Sequence, residues 1–219
     1  MLQSEPTPLP SQRRIPCGLN YGAARALPTP TFKESADFFG TLESRRSVHP
    51  RRELNDADIG ALLWHAARCQ HSSQDRQGLL RQRRPYPSAG GLYETELLVI
   101  EDGFTRLSAY DAVRHAFLSI EPDFATFHLF KERLHELLRA NATIFALVAH
   151  ACVLDAAYAS NKSLVWRDAG CVLSTLQLTA TALGFASTCL GPLGIELAAS
   201  LPSSCDHFIA VGMLAGGYD

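Results

Sequence analysis

Apolar side chains recur every three or four residues in several stretches of this sequence, which predicts helices there. One helix begins at Asn55 or Asp56, whose side chain can cap it, and ends near Cys69. A second is amphipathic and covers "ATFHLFKERLHELLRAN", and another candidate covers residues 112 to about 120. The longest stretch, "SLVWRDAGCVLSTLQLTATALGF", is largely apolar. It predicts a central helix that is buried on most sides and ends at Gly184.

Continuous apolar runs without this period predict buried strands. Residues 95–101 and 144–150 are the clearest runs, residues 107–110 are a shorter one, and "HFIAVGMLAGG" is the last. The segment "ASTCLGPLG" predicts a short strand that leads into a glycine turn, and "GIELAASLP" predicts a short helix. Residues 70–84 are polar and basic, which predicts a surface loop. Because helices and strands mix without a regular alternation, the predicted fold class is α+β.

The first 35 residues differ from the rest of the chain. They are rich in proline and have little apolar periodicity, which predicts an extended N-terminal arm over residues 1–35 and one domain over residues 36–219. A flexible tail and an arm that wraps a partner subunit both fit this composition.

Composition and charge exclude several classes of protein. A length of 219 residues suits one domain, and a net charge of −2 argues against nucleic acid or a membrane surface as the main partner. The N-terminus lacks the apolar segment of an export signal, and no run approaches the roughly 18 apolar residues of a membrane span. The six cysteines show no paired spacing, so we expect reduced thiols in a cytoplasmic protein.

Standard nucleotide and metal motifs are missing from the sequence. It contains no GxGxxG after a strand, no Walker loop, no HExxH and no CxxC. His65 and Cys69 lie four residues apart on the first predicted helix, but two ligands are too few for a tetrahedral metal site. We therefore interpret this pair as packing and expect no metal.

Three segments carry the remaining candidate chemistry. "SRRSVH", from Ser44 to His49, is either an anion receptor with two guanidiniums or a basic turn in solvent. "PSAGG", residues 87–91, either lets the backbone approach a flat molecule or simply turns the chain tightly before a strand. "ALGFASTCLGPLG" exposes the backbone of Leu190 and Gly191 where a strand ends.

Taken in this order, the three segments resemble the nitroreductase family of FMN-dependent oxidoreductases. "LESRRSVH" is similar to the family's arginine-serine motif, and "PSAGGLYETELLVI" is similar to its proline-serine motif. "WRDAGCVLSTLQLTATALGFASTCLG" resembles its central helix and the strand that follows. The resemblance covers roughly residues 40–215. It is closest to the azoline dehydrogenase branch, which oxidises thiazoline and oxazoline rings in modified peptides.

The resemblance implies a nitroreductase-like sandwich, in which helices flank a mixed, mainly antiparallel sheet and include the long buried central helix. It also implies a homodimer with FMN at the interface, and no catalytic side chain is assigned, because the flavin itself carries the hydride. Residues of the arginine-serine motif would hold the phosphate and ribityl chain, and residues of the proline-serine motif would come from the partner subunit. Residues at the end of the strand after the central helix would face the flavin edge near N5. In that order, the implied FMN-binding residues are Arg45, Arg46, Ser47 and His49; Pro87, Ser88, Ala89, Gly90 and Gly91; and Leu190 and Gly191.

The implied activity is hydride transfer between flavin N5 and a small-molecule or peptide-derived substrate, with NAD(P)H as a candidate redox partner. Two departures motivate an alternative, a cofactor-poor relative that serves as a binding or scaffold subunit of a biosynthetic complex. His49 stands where many relatives have a more basic side chain, and the sequence ends at "LAGGYD" without a basic tail. We also expect a bulky substrate or the ring of Tyr93 to occupy space beside Gly91.

Overall fold

A central sheet with helices on both faces organises the computed structural model, which describes residues 5–10, 18–31, 36–76, 78–138, 140–202 and 208–219. A 3-10 turn covers Ala89–Gly91. The helices are α1 (Phe38–Ser44), α2 (Asp56–Ala67), α3 (Phe124–Leu138), α4 (Ala151–Asp155), α5 (Lys162–Ala182) and α6 (Ile195–Ser200). The strands are β1 (Thr7–Pro8), β2 (Ala24–Ala26), β3 (His71–Gln74), β4 (Leu80–Arg83), β5 (Thr95–Glu101), β6 (Arg106–Asp111), β7 (Ala116–Ser119), β8 (Thr143–His150), β9 (Tyr158–Ala159), β10 (Ala186–Leu190) and β11 (Phe208–Gly217).

The central sheet has seven strands in the order β10-β11-β8-β5-β6-β7-β2. Every pairing between these strands is antiparallel. The predicted α+β class and the predicted sandwich of sheet and helices are therefore confirmed. The described sheet is wholly antiparallel, whereas a mixed sheet was expected.

Both faces of the central strands are buried. In β5, Val99 packs into the core beneath α2 and α5, while Leu98 and Ile100 pack into the core beneath α3 and α6. Successive side chains of a strand point to opposite faces, so a strand covered on both faces is apolar at every position. This explains the continuous apolar runs that predicted β5 and β8, each within one residue of its observed bounds.

Local capping fixes the helix ends that the sequence predicted. The side chain of Asn55 accepts a hydrogen bond from the Asp58 N–H at 2.9 Å, which begins α2. At the other end of the chain, α5 ends at Ala182, and Gly184 follows with φ of 77°. A positive φ at this position is the usual end of a helix, and glycine adopts it without a Cβ penalty.

The helix predicted over residues 112–120 is wrong, because this segment forms a hairpin turn and β7. The Asp111 carboxylate accepts hydrogen bonds from the N–H groups of Val113 and Arg114, and His115 has φ of 50°. Such side-chain capping of a turn competes with a helix, and the apolar spacing alone did not reveal it.

The surface loop predicted over residues 70–84 is also wrong, since β3 and β4 form an antiparallel hairpin there. All residues of β3 are exposed, so neither face has the apolar alternation that predicts a strand. Helix α1 was not predicted at all. It begins at Asp37, whose carboxylate accepts a hydrogen bond from the Gly40 N–H at 2.7 Å.

The long helix α5 is present as predicted, but only one stripe of it is buried within the chain. Residues at helical spacing form this stripe, and Trp166, on another face, is 50% exposed. The prediction of burial on most sides therefore does not hold for a single chain. The buried stripe consists of Val165, Asp168, Ala169, Val172, Leu176 and Ala180.

The described parts of the predicted N-terminal arm pair with strands of the same chain. β2 pairs with β7 at one edge of the central sheet, and β1 pairs with β9. Residues 1–4, 11–17 and 32–35 of the predicted arm lie outside the described residues. None of the described helices combines the length and the apolar character that crossing a membrane requires.

Candidate functional site

The predicted anion receptor follows α1 directly and lies along the outer edge of β10. The Arg45 N–H donates to the Thr41 carbonyl oxygen at 3.0 Å, which ends the helix. The Val48 N–H then donates to the Ser187 carbonyl oxygen of β10 at 2.9 Å. Ser47 is exposed between these two anchors. Backbone bonds therefore hold the segment in place and leave its side chains for other contacts.

The two arginines of this segment have different surroundings. Arg46 Nη1 donates to the carbonyl oxygens of Glu43 at 2.9 Å and of Arg45 at 2.8 Å. The Arg45 guanidinium forms no hydrogen bond or ion pair with any residue that the structure describes. Burial raises the pKa of the nearby Cys189 thiol, although the Arg45 charge acts in the opposite direction. Arg45 is thus the arginine better placed to accept an incoming anion.

The end of β10 is open beside this segment. Leu190 is half-buried and Gly191 is exposed. A Cβ built on Gly191 would have no heavy atom within 4 Å, so the space beside the Gly191 backbone is open. β10 is the edge strand of the sheet, and the buried Ser187 hydroxyl has no hydrogen-bond partner among the described residues. His49, the last residue of the predicted anion receptor, is exposed.

The PSAGG segment forms a tight turn immediately before β5. Gly90 and Gly91 have φ of 61° and 66°, in the left-handed region that favours glycine. The Gly91 N–H donates to the Ser88 carbonyl oxygen at 3.0 Å and closes the turn. Pro87 is exposed at its start.

The space beside Gly91 differs from the sequence-based expectation. A Cβ on Gly91 would lie 3.0 Å from the Gln82 carbonyl oxygen of β4. The backbone of β4 therefore takes the room that was expected for a substrate or for the ring of Tyr93, and that expectation is wrong. The Tyr93 ring packs edge-on against Tyr86 instead, with 5.4 Å between ring centroids.

Three elements anchor this turn from different directions. Arg81 of β4 donates from Nη1 to the Gly90 carbonyl oxygen at 2.8 Å. The Ala89 N–H donates to Oδ2 of Asp168 on α5 at 2.7 Å. The Ser88 hydroxyl accepts from the Tyr93 N–H at 3.0 Å and lies 3.2 Å from Oε2 of Glu94, to which it donates.

Two of these anchors are buried carboxyl groups close to each other. Glu94 is 2% exposed and Asp168 is 8% exposed. Burial, and then the charge of Asp168, raise the pKa of Glu94 to about 7. Within the described part of the chain, neither carboxyl group forms an ion pair with a cation. A buried carboxyl group without a cation favours its neutral form, so Glu94 holds a proton up to neutral pH.

Within one chain, the structure brings together two of the three predicted segments. Residues 45–49 lie along β10, which ends at Leu190 and Gly191. The turn at 87–91 precedes β5, which is three strand spacings away from β10 in the sheet order, or about 14 Å. The prediction that the turn is supplied by a partner subunit stays a prediction.

Sequence reasoning missed Arg81, Glu94 and Asp168 as anchors of the turn. Asp168 had a usable signal, because an acidic residue lies on the apolar stripe of a predicted buried helix. Arg81 had none, since the hairpin that carries it was interpreted as a loop.

Comparisons with known proteins agree on one family. The sequence model described as "Nitroreductase family" matches residues 42–203. The fold is similar to that of a protein from Ralstonia eutropha JMP134 named as a nitroreductase, with a TM-score of 0.66, 17% identity, and coverage of 97% of this chain and 98% of that one. None of the curated proteins matches this sequence.

Two further solved structures share the fold. One is a chain of the Escherichia coli microcin synthetase McbBCD complex with truncated pro-MccB17 bound, with a TM-score of 0.55, 17% identity, and coverage of 89% of this chain and 77% of that one. The other is a nitroreductase with bound FMN from Bacteroides fragilis NCTC 9343, with a TM-score of 0.50, 15% identity, and coverage of 84% of this chain and 88% of that one.

Proposed function

Because this chain belongs to the nitroreductase family, we propose that it is an FMN-dependent oxidoreductase. It transfers hydride between the flavin and a small-molecule or peptide-derived substrate. One observation carries the proposal beyond family membership. Arg45, with an unengaged guanidinium among the described residues, is close enough to Cys189 of β10 for its charge to act on that thiol, and the same strand ends openly at Gly191. A charged group and an accessible backbone edge therefore lie together where a phosphate-bearing flavin needs both.

The residues present fit FMN. Arginine and hydroxyl donors match phosphate oxygens, and Arg45 and Ser47 offer both groups in a segment fixed by backbone bonds. The open space at Gly191 allows close approach to a planar ring. Bound FMN would supply the hydride chemistry, and the protein would bind it, orient it and exclude water from it.

We propose a homodimer, with the turn of each subunit completing the site of the other. Large apolar side chains on α1 and α5 support this assembly, since Phe38 is 63% exposed, Phe39 72% and Trp166 50%. Exposed apolar groups on adjoining elements are typical of an interaction surface. Light scattering of the flavin-loaded protein should give the mass of a dimer. A flavin-loaded monomer would contradict the shared site.

The flavin content of the purified protein tests the main proposal. We expect a yellow protein that releases FMN on denaturation, or an apoprotein that FMN reconstitutes. Gly191→Val should weaken FMN binding without altering the melting temperature, because the chain itself leaves that space empty. For Arg45→Ala, which tests the other half of the site, Arg114→Ala is the control for a lost surface charge, since Arg114 lies on the β6–β7 hairpin, near the opposite edge of the sheet. If Gly191→Val binds FMN as tightly as the parent does, the end of β10 is not part of the FMN site.

The redox partner and the cellular compartment are further parts of this proposal. We place the protein in the cytoplasm and propose NAD(P)H as its redox partner. Oxidation of NADH and NADPH is measured with nitro, quinone and azoline compounds, and oxidation of azoline substrates is measured in the opposite direction. If the protein oxidises azolines and oxidises neither NADH nor NADPH, it works in the oxidative direction.

A second candidate function is a binding subunit of a peptide-modifying complex. The similar chain in the microcin synthetase complex, solved with a truncated peptide bound, favours this candidate. His49 in the predicted phosphate site favours it as well, because a histidine there lacks the planar fork with which arginine binds phosphate. A colourless protein that FMN does not reconstitute would support the subunit role against the enzyme.

A further inference from the structure

We propose that Glu94 and Asp168 are positioning residues that share one proton and hold the turn at 87–91 in the form that binds FMN. This inference rests on the proposed function, because it concerns how the chain presents that turn to the flavin. It assigns no contact between either carboxyl group and the ligand. Both groups act through the neighbouring residues Ser88 and Ala89.

The geometry connects the two carboxyl groups to consecutive residues of the same turn. Asp168 accepts from the Ala89 N–H at 2.7 Å, and Glu94 accepts from the Ser88 hydroxyl at 3.2 Å. The second oxygen of Glu94 is 3.3 Å from the Thr95 hydroxyl. These donors are neutral, so they satisfy the oxygens without neutralising a charge.

The number of charges that this buried pair can hold is therefore limited. One negative charge is stabilised by the backbone N–H and the hydroxyl donors. A second would be buried beside the first without a cation, which is unfavourable for both. Asp168 accepts from a backbone donor, whereas burial and then the charge of Asp168 raise the pKa of Glu94. Loss of the Glu94 proton would place two like charges directly behind the turn.

Other ionisable groups around Glu94 do not neutralise that second charge. Burial raises the pKa of the Tyr86 phenol, which therefore stays neutral. The Arg84 guanidinium donates to Tyr86 and Gln82. His150 donates its backbone N–H to the Glu94 carbonyl oxygen at 2.9 Å, and its ring lies 3.0 Å from the carboxylate of Glu96. No ion pair to Glu94 arises from any of these groups.

The test measures the dissociation constant of FMN for the apoprotein as a function of pH. FMN phosphate also titrates in this range, so the informative quantity is the ratio of the parent's dissociation constant to that of Glu94→Gln. Glutamine imitates the protonated carboxyl group, and the ratio cancels every titration that the two proteins share. We expect a ratio near one at about pH 5.5 that rises about tenfold by about pH 8.5, the change expected if bound FMN raises the Glu94 pKa by about one unit.

Asp168 variants separate charge from geometry. Asp168→Asn keeps an oxygen for the Ala89 N–H and removes the like charge, so its FMN affinity should depend on pH less than the parent's. It should still depend on pH more than that of Glu94→Gln, because Glu94 remains buried and ionisable. Asp168→Ala removes the acceptor and should weaken FMN binding at every pH. A purely structural role would lower the affinity of all three variants equally and would leave the pH dependence unchanged.

The outcomes distinguish this inference from the proposed function. If the parent binds FMN and the ratio stays constant with pH, the shared proton is refuted and the FMN site stands. If the parent binds no FMN at any pH, both proposals fail. Circular dichroism and melting temperatures of each variant show whether it folds. Should Glu94→Gln fail to fold, the weaker pH dependence expected for Asp168→Asn provides the comparison with the parent, and an unchanged pH dependence would refute the inference.

Discussion

Replacing Glu94 by glutamine should stabilise the apoprotein, and the gain should grow as the pH rises. In the folded chain, burial and the charge of Asp168 raise the pKa of Glu94 from 4.5 to about 7. The folded state therefore holds a proton that the unfolded state releases above about pH 4.5. The free energy of unfolding falls between these two values and is level above about pH 7, once Glu94 has ionised in both states.

The size of this effect follows from the same shift. A change from 4.5 to about 7 corresponds to an upper limit of about 3 kcal/mol at alkaline pH. Glutamine cannot ionise, so Glu94→Gln removes this loss and should raise the free energy of unfolding by about 1–3 kcal/mol at about pH 8. At about pH 4.5 both proteins carry a neutral group at this position, and the difference should nearly vanish.

Urea unfolding of parent and variant at fixed protein concentration measures both values. Glu136→Gln is the control, because it makes the same chemical change at an exposed position of α3. Combining Glu94→Gln with Asp168→Asn should give less than the sum of the single gains, since each change alone relieves the same repulsion. A Glu94→Gln variant whose stability follows the parent's pH dependence would refute the buried, proton-sharing pair, whatever the fate of FMN.

Two further comparisons test the site itself. In a calorimetric titration, Arg45→Ala should weaken FMN binding by about 1.5–3 kcal/mol, the scale of a lost charge-assisted hydrogen bond. Arg46→Ala should weaken FMN binding less, because Arg46 donates to carbonyl oxygens of its own segment. Equal losses would contradict the distinction between the arginines. Gly91→Ala should lower the free energy of unfolding of the apoprotein by about 1–2 kcal/mol, since alanine resists positive φ and its methyl would crowd Gln82, while Gly191→Ala should leave the stability unchanged. A stable Gly91→Ala protein would show that the turn adjusts easily.

The fold could be predicted where burial leaves a clear pattern in the sequence. β5 and β8 contain continuous apolar runs, at 97–100 and 144–149, because helices cover both faces of the sheet. α5 shows its buried stripe at helical spacing. The hairpin of β3 and β4 could not be predicted, because its strands are largely exposed and polar. Residues 116–119 were predicted wrongly because their apolar spacing suits a helix. The turn before them depends on two hydrogen bonds from backbone N–H groups to the Asp111 carboxylate.

The candidate site was predictable only in its exposed half. Arg45, Ser47 and Gly91 belong to short motifs that are visible in sequence. The carboxyl pair behind the turn was not visible, because Glu94 and Asp168 lie 74 residues apart and meet only through the packing of α5 against the segment before β5. A short motif can show which groups contact a ligand. The groups that hold the motif in place come from distant parts of the sequence and are identified only once the packing is known.

The turn at 87–91 is costly to form, and this is why several elements hold it. Gly90 and Gly91 lose more backbone freedom than other residues would, and Tyr93 adopts φ of 52°, which is strained for a residue with a Cβ. Bonds from Arg81 and Asp168 offset this cost before any ligand arrives. A turn that is ordered in advance spares the ligand that entropy, so affinity for a flat ring rises without a new contact. The same argument explains why the shared proton matters, because a second charge behind the turn would remove the order that its anchors provide.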